Sequence, residues 1–293
     1  MFPKKLQDKI NERKTHNMLR TLGTQHHLID FSSNDYLGFS NLKEIFDMTH
    51  RYLETNNLAR NGATGSRLLS GNYKLYQEVE NTISEFHHSE SALIFNSGYN
   101  ANLGFFASVP QRGDIILYDE YIHASIRDGI GMSHAKSYKY RHNDLKHLDE
   151  MLKRLSTDKA GVQHNPSVIY VVTDDSELYI VTESVFSMDG DAPEMASLIR
   201  ISKQHQVYLV IDEAHATGVF GKNGEGLLQE LGLENDVFAR IITFGKALGS
   251  HGAAILGSKA LTQYLINFAR PFIYTTALPN DNQIGLHRVA KNA

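Results

Sequence analysis

The stretch Val207-Tyr208-Leu209-Val210-Ile211-Asp212-Glu213-Ala214-His215 decides how the rest of the chain is read. It is a run of β-forming apolar residues that ends on an acid. A continuous run, as opposed to an alternating one, is what a strand needs when helices cover both faces of a parallel sheet. Further strand candidates, mostly continuous apolar runs as well, are Ala92–Asn96, Asp114–Tyr118, Ser137–Tyr140, Val168–Thr173, Leu178–Val185, Arg240–Phe244 and Ala253–Leu256. Helical patterns lie between these runs. Leu75, Val79, Ile83 and Phe86 recur at the spacing of one helix face. Leu145, Leu148, Leu152 and Leu155 do the same after Asn143, which is expected to cap that helix. Strand–helix alternation predicts an α/β fold with a mostly parallel sheet. The first 30 residues are polar and are expected to form a helical arm. Ile169–Thr173 is nearly repeated as Leu178–Thr182. That repeat reads either as a hairpin turning at Asp174-Asp175-Ser176 or as a small duplication that adds a strand.

Composition narrows the function. The 293 residues carry 29 Lys plus Arg against 33 Asp plus Glu, a net charge of −4. This balance argues against nucleic acid as a partner, because such binders carry a basic surface. Cysteine is absent. Disulfides, thiolate metal sites and a cysteine nucleophile are thereby excluded. The start, MFPKKLQDKINERK, lacks the apolar core of a signal peptide. Runs such as Val168–Val172 fall far short of the ~20 residues that cross a bilayer. A cytoplasmic protein with no membrane partner is expected. His26-His27 and His87-His88 suggest no metal site, since adjacent histidines rarely share one ion.

An acid ending an apolar strand serves two kinds of enzyme. In DEAH-type helicases it acts with a phosphate loop, G-x-x-x-x-G-K-[ST]. Gly62-Ala63-Thr64-Gly65-Ser66-Arg67 lacks the lysine, and Phe244-Gly245-Lys246-Ala247 lacks the first glycine and the hydroxyl. The other use is a pyridoxal phosphate site. That cofactor needs a lysine for its aldehyde, a carboxylate for its pyridinium nitrogen, a flat group against its ring and helix-start amides for its phosphate. Candidates are Lys246 in the glycine-rich turn Thr243–Gly249, Asp212, His123, and the turn Asn96-Ser97-Gly98-Tyr99-Asn100. All follow strands, where open parallel sheets bind ligands.

Seven strings then carry a family resemblance. They are Phe31–Gly38 (FSSNDYLG), Gly62–Gly71 (GATGSRLLSG), Asn96–Asn102 (NSGYNAN), Phe186–Asp191 (FSMDGD), Asp212–Gly218 (DEAHATG), Thr243–Lys246 (TFGK) and Tyr274–Pro279 (YTTALP). In this order they resemble the α-oxoamine synthases, pyridoxal-phosphate enzymes of fold type I. Phe31–Gly38 and Phe186–Asp191 favour the biotin-pathway member, which condenses L-alanine with a pimeloyl thioester, on coenzyme A or an acyl carrier protein, losing carbon dioxide. Sister enzymes that take glycine or serine remain the alternative, with a cofactor-binding remnant as a third reading.

The resemblance implies roles for individual residues. Lys246 would hold the cofactor and take the substrate's α-proton, and Asp212 would pair with the ring nitrogen. His123 and Ala214 would lie against opposite ring faces. His215 and Ser187 would bond the phenolic oxygen. Gly98, Tyr99 and Thr243 would bind the phosphate end. Arg20 and Asn34 would meet the acyl substrate, and Thr275 and Thr276 would approach the neighbouring subunit of a homodimer. The family continues into a smaller C-terminal domain that clamps the substrate. The expected organisation is therefore an arm and entry segment at 1–45, a cofactor domain at 46–280, and the start of a further domain at 281–293.

Overall fold

The computed structural model describes residues 1–23, 28–159 and 175–281. It divides into two compact units, Met1–Ser33 and Asn34–Ala293. The first contains α1 (Lys4–Thr15), a helix with no buried residue, as its polar sequence requires. It stops where Asn17 takes a left-handed φ of 53° and the Met18 N–H returns to the Arg13 carbonyl at 2.8 Å.

The second unit runs, in chain order, α2 (Lys43–Thr55), α3 (Lys74–Phe86), β1 (Ser91–Phe95), α4 (Gly98–Ser108), β2 (Ile115–Asp119), α5 (Ala124–Met132), β3 (Lys136–Tyr140), α6 (Leu145–Lys159), β4 (Leu178–Glu183), α7 (Met195–His205), β5 (Tyr208–Asp212), α8 (Leu227–Glu230), β6 (Ala239–Thr243), β7 (Ala253–Gly257), α9 (Lys259–Phe268) and α10 (Arg270–Ile273). The strands form one sheet in the order β1-β7-β6-β5-β4-β2-β3. β7 is antiparallel to both neighbours, and the other pairs are parallel. The α/β fold with its mostly parallel sheet is as the sequence predicts. The expected strand Val168–Thr173, and with it the hairpin or duplication reading, lies outside the described residues. Residues 34–45, which the sequence groups with the arm, fall in the second unit.

The apolar strand runs are explained by burial on two faces. In β1, Leu93 and Phe95 pack with Phe105, Phe106 and Phe272 on one side. Ala92 and Ile94 pack with Leu75, Val79 and Ile83 of α3 on the other. Each fully buried aliphatic side chain contributes about 1.5–3 kcal/mol. The α3 face is the predicted one, except that Tyr76 is fully buried and Phe86 only half-buried. The α6 cap differs from expectation. Asp144, not Asn143, caps the helix, its Oδ1 accepting the His147 N–H at 2.8 Å. Asn143 instead sits at φ 53° and donates its amide to Asp191 at 2.7 Å.

Gly62–Gly71 is a structural clamp in this unit. Arg67 forms a two-pronged pair with Glu80 at 2.5 and 3.1 Å and also donates to the Ile94 carbonyl. Glu80 accepts the Ile94 N–H at 2.8 Å, so the pair satisfies both backbone polar groups of Ile94 on one edge of β1.

Candidate active site

Register brings the functional strand ends to one edge. Phe95 of β1 pairs with Ala253, and Ala253 pairs with Thr243 of β6. Asp212 of β5 pairs with Glu183 of β4. The turns leaving these strands surround a cavity of about 180 Å³. Gly98, Tyr99, His123, Asp212, Ala214, His215, Thr243 and Lys246, all expected from the sequence, line it together. A larger apolar cavity of about 350 Å³ lies between Leu37, Phe86 and Leu248 and holds none of these groups.

Asp212 is 5% exposed, so its charge needs donors. The Ala214 N–H reaches its Oδ1 at 2.9 Å, and the Asn102 amide reaches its Oδ2 at 2.9 Å. The same Asn102 nitrogen also donates to the Ser125 hydroxyl at 3.0 Å. That hydroxyl lies 2.7 Å from His123 Nδ1. The Ser125 N–H donates to His123 Nδ1 at 3.2 Å, which makes Nδ1 an acceptor, so the Ser125 hydroxyl donates to it as well. The imidazole is then the Nε2–H tautomer, with Nδ1 as the acceptor that also caps α5. One hydrogen-bonded line thus fixes both the acid and the flat ring of the site.

Lys246 is partly buried, and its amine lies 2.6 Å from His215 Nε2. Burial holds the Lys246 amine below its usual range, opposed by the charges of Asp212 and Glu183. Burial and then the Lys246 charge push His215 down to about 4, so the imidazole is neutral at pH 7. His215 Nδ1 lies 2.7 Å from the Tyr36 hydroxyl, which donates to Asn34 Oδ1 at 3.2 Å. Glu183 accepts the His123 N–H at 2.7 Å. Burial and the neighbouring Asp212 charge raise its carboxyl well above the ordinary range.

Ser187 is exposed on the loop after β4 and does not line the cavity. Arg20 is exposed in the first unit. Thr276 bridges to Ser66, and Thr275 is half-buried beside it. Sequence reasoning missed Asn102, Ser125, Glu183 and Tyr36. Two carried a usable signal: Asn102 lies one helical turn past Gly98, and Glu183 ends an apolar strand as Asp212 does.

This arrangement, on this fold, defines an enzyme of the pyridoxal-phosphate fold type I class. The family description "Aminotransferase class I and II" matches residues 26–282, and the chain belongs to that family and, within it, to the α-oxoamine synthases. The 8-amino-7-oxononanoate synthase of Emericella nidulans is 44% identical over 260 residues, which cover 85% of this chain and 60% of that relative. Among solved structures, the 8-amino-7-oxononanoate synthase of Francisella tularensis superposes with a TM-score of 0.71 at 31% identity, covering 92% of this chain and 70% of that one. The Sphingomonas wittichii serine palmitoyltransferase gives 0.81 at 27% identity, covering 99% and 72%. The chain therefore spans about three fifths of the length of the curated relative.

Pyridoxal phosphate, the family's cofactor, fits the donor set. Asp212 is a doubly bonded carboxylate for a ring nitrogen, and Lys246 is an amine within the same cavity. Phosphate would meet the start of α4. There the Gly98 and Tyr99 N–H groups precede the first intrahelical bond, the Asn100 N–H is taken by Ser97 Oγ, and a Cβ at Gly98 would stand 3.4 Å from Thr243 Oγ1.

Proposed function

We propose that this chain carries the cofactor site of an 8-amino-7-oxononanoate synthase, joining L-alanine to a pimeloyl thioester with loss of carbon dioxide and thiol. The observation that carries this reading is the convergence of Lys246, Asp212 and His123 on one cavity, together with the likeness to the Emericella nidulans enzyme. When bound, pyridoxal phosphate supplies an electron sink for the α-carbanion of the amino acid. Asp212 keeps the ring nitrogen protonated, held in place by Asn102 and the Ala214 amide. His123, which lines the same cavity, would stack on the ring. Lys246, partly desolvated, gives up its proton readily and takes the α-proton of the substrate. Tyr99 and Thr243 position the phosphate end. A homodimer fits the exposed Leu69 and Tyr274, which lie on the two segments joined by the Ser66–Thr276 bridge.

Serine or glycine in place of alanine is the second reading, favoured by the likeness to serine palmitoyltransferase. The test supplies the protein with pyridoxal phosphate, pimeloyl-CoA and each amino acid in turn, and follows thiol and carbon dioxide release. Release with alanine alone is expected. Release confined to serine or glycine moves the assignment to the sister enzymes, and no release with any of the three overturns it.

A further inference from the structure

Lys246, His215, Tyr36 and Asn34 form an unbroken hydrogen-bonded line from the cavity to the surface. Directions along this line are set by its outer end. Asn34 Oδ1 can only accept, so the Tyr36 hydroxyl spends its single proton there. The hydroxyl oxygen must then accept from His215 Nδ1, 2.7 Å away. A neutral imidazole with Nδ1–H has its lone pair on Nε2, and Nε2 faces the Lys246 amine at 2.6 Å. Tyr36 itself is 44% exposed, so water reaches it.

We infer that Tyr36 is a positioning residue: with Asn34 it fixes the His215 tautomer whose Nε2 lone pair accepts a proton from Lys246, and it passes that proton to solvent. The inference rests on Lys246 being the reacting amine, as proposed above. The step balances. The N–H bond of the Lys246 ammonium breaks and an Nε2–H bond forms. The Nδ1 proton moves to the Tyr36 oxygen as the Tyr36 hydroxyl proton leaves Asn34 Oδ1 for a water at the exposed face of Tyr36. Lys246 is left neutral with its electron pair free, and His215 is left as the other neutral tautomer. The titratable groups that face this line from neighbouring strand ends are Asp212 and Glu183 at Lys246, and Asp212 and His123 at His215. The Asp212 charge opposes loss of the lysine proton, and the line through His215 leads that proton away from it.

Tyr36→Phe removes one exposed hydroxyl and leaves the core intact. Histidine ¹⁵N spectra of the protein without cofactor, with His215 assigned by its loss in His215→Asn, read the tautomer directly. Wild type is expected to show Nδ1 protonated and Nε2 bare, and Tyr36→Phe to shift the ring toward Nε2–H. Stopped-flow addition of pyridoxal phosphate at pH 7 is expected to slow in Tyr36→Phe on the order of 10²-fold, the lower range for a positioned proton acceptor, with the same final absorbance. A wild-type ring carrying Nε2–H, or the same ring and the same rate in Tyr36→Phe, overturns the inference and leaves the Lys246 assignment standing. A wild-type protein that gains no visible absorbance overturns the proposed function and, with it, the role of this relay.

Discussion

Glu183 and Asp212 face each other across adjacent parallel strands, two buried carboxylates at one edge of one cavity. Like charges so close cannot both ionise cheaply. The donors decide between them. Asp212 accepts from Asn102 and Ala214, whereas among the described residues Glu183 accepts the His123 amide alone. Glu183 is therefore the member that takes the proton, in keeping with its raised carboxyl. Glu183→Gln should bind pyridoxal phosphate at pH 6 within a few-fold of wild type, since one neutral group replaces another. Asp212→Asn should lose about 1.5–3 kcal/mol, or roughly 10–150-fold in affinity, because a charged hydrogen-bonded partner is gone. Fluorescence titration with the cofactor checks both. Equal losses in the two variants would contradict the assignment.

Lys246→Ala should fold and yet gain no visible absorbance band with pyridoxal phosphate. The wild-type band should disappear on borohydride reduction, leaving the cofactor covalently on a Lys246 peptide. Mass spectrometry of the digest locates it.

Asn102→Ala breaks the line from Asp212 to His123 at its shared donor. The loss of a donor to a buried carboxylate should cost about 1–3 kcal/mol in urea unfolding. Cofactor affinity should fall by about tenfold, the equivalent of 1.4 kcal/mol. A variant with wild-type affinity would show that Asn102 serves packing only.

Gly218 has φ 84°, and a Cβ there would collide with the Ala247 side chain, next to Lys246. Gly218→Ala should therefore destabilise by about 1–3 kcal/mol through strain, and should disturb the Lys246 turn. Gly62 has open space within 4 Å and no positive φ. Gly62→Ala should stay within about 0.5 kcal/mol of wild type. Thermal melts of the two variants make the comparison.

His87 is 2% exposed, and burial, with the Arg240 charge, drives it down from 6.5 to about 3. A histidine whose folded value is lowered binds fewer protons when folded than when unfolded. Its stabilisation is complete above pH 6.5 and is lost as pH falls toward 3, by about 1.4 kcal/mol per pH unit. His215 adds a slope of the same sign between 6.5 and about 4. His87→Gln should be less stable at pH 7 but show a shallower decline between pH 6.5 and 4. Urea midpoints at half-unit intervals read the difference.

Much of the fold is legible from local pattern. Six apolar runs fell where strands are, because two-sided burial leaves a continuous signature that neighbouring residues carry by themselves, and the seventh strand, β3 at the sheet edge, is polar and largely unburied. The α6 cap was misjudged by one residue, since Asn143 and Asp144 are both good caps and only the path of the backbone decides which one reaches the helix start. Ser187 shows the limit of motif transfer. Its string matches, and Ser187 is exposed on the loop after β4 and is not among the residues that line the cavity.

By itself the sequence determined which residue types stand at the strand ends: Lys246 and Asp212, the glycine-led turn at Gly98, and a chain with no thiol to compete with them. Those are local facts, written within a few residues of each run. Only the tertiary structure decided that Asn102 holds Asp212 from 110 positions away, and that Tyr36 meets His215 across 179. Such pairings depend on strand order and register, which bring distant segments to one edge. A hydrogen bond a few ångströms long leaves no periodic trace in the residues on either side of it.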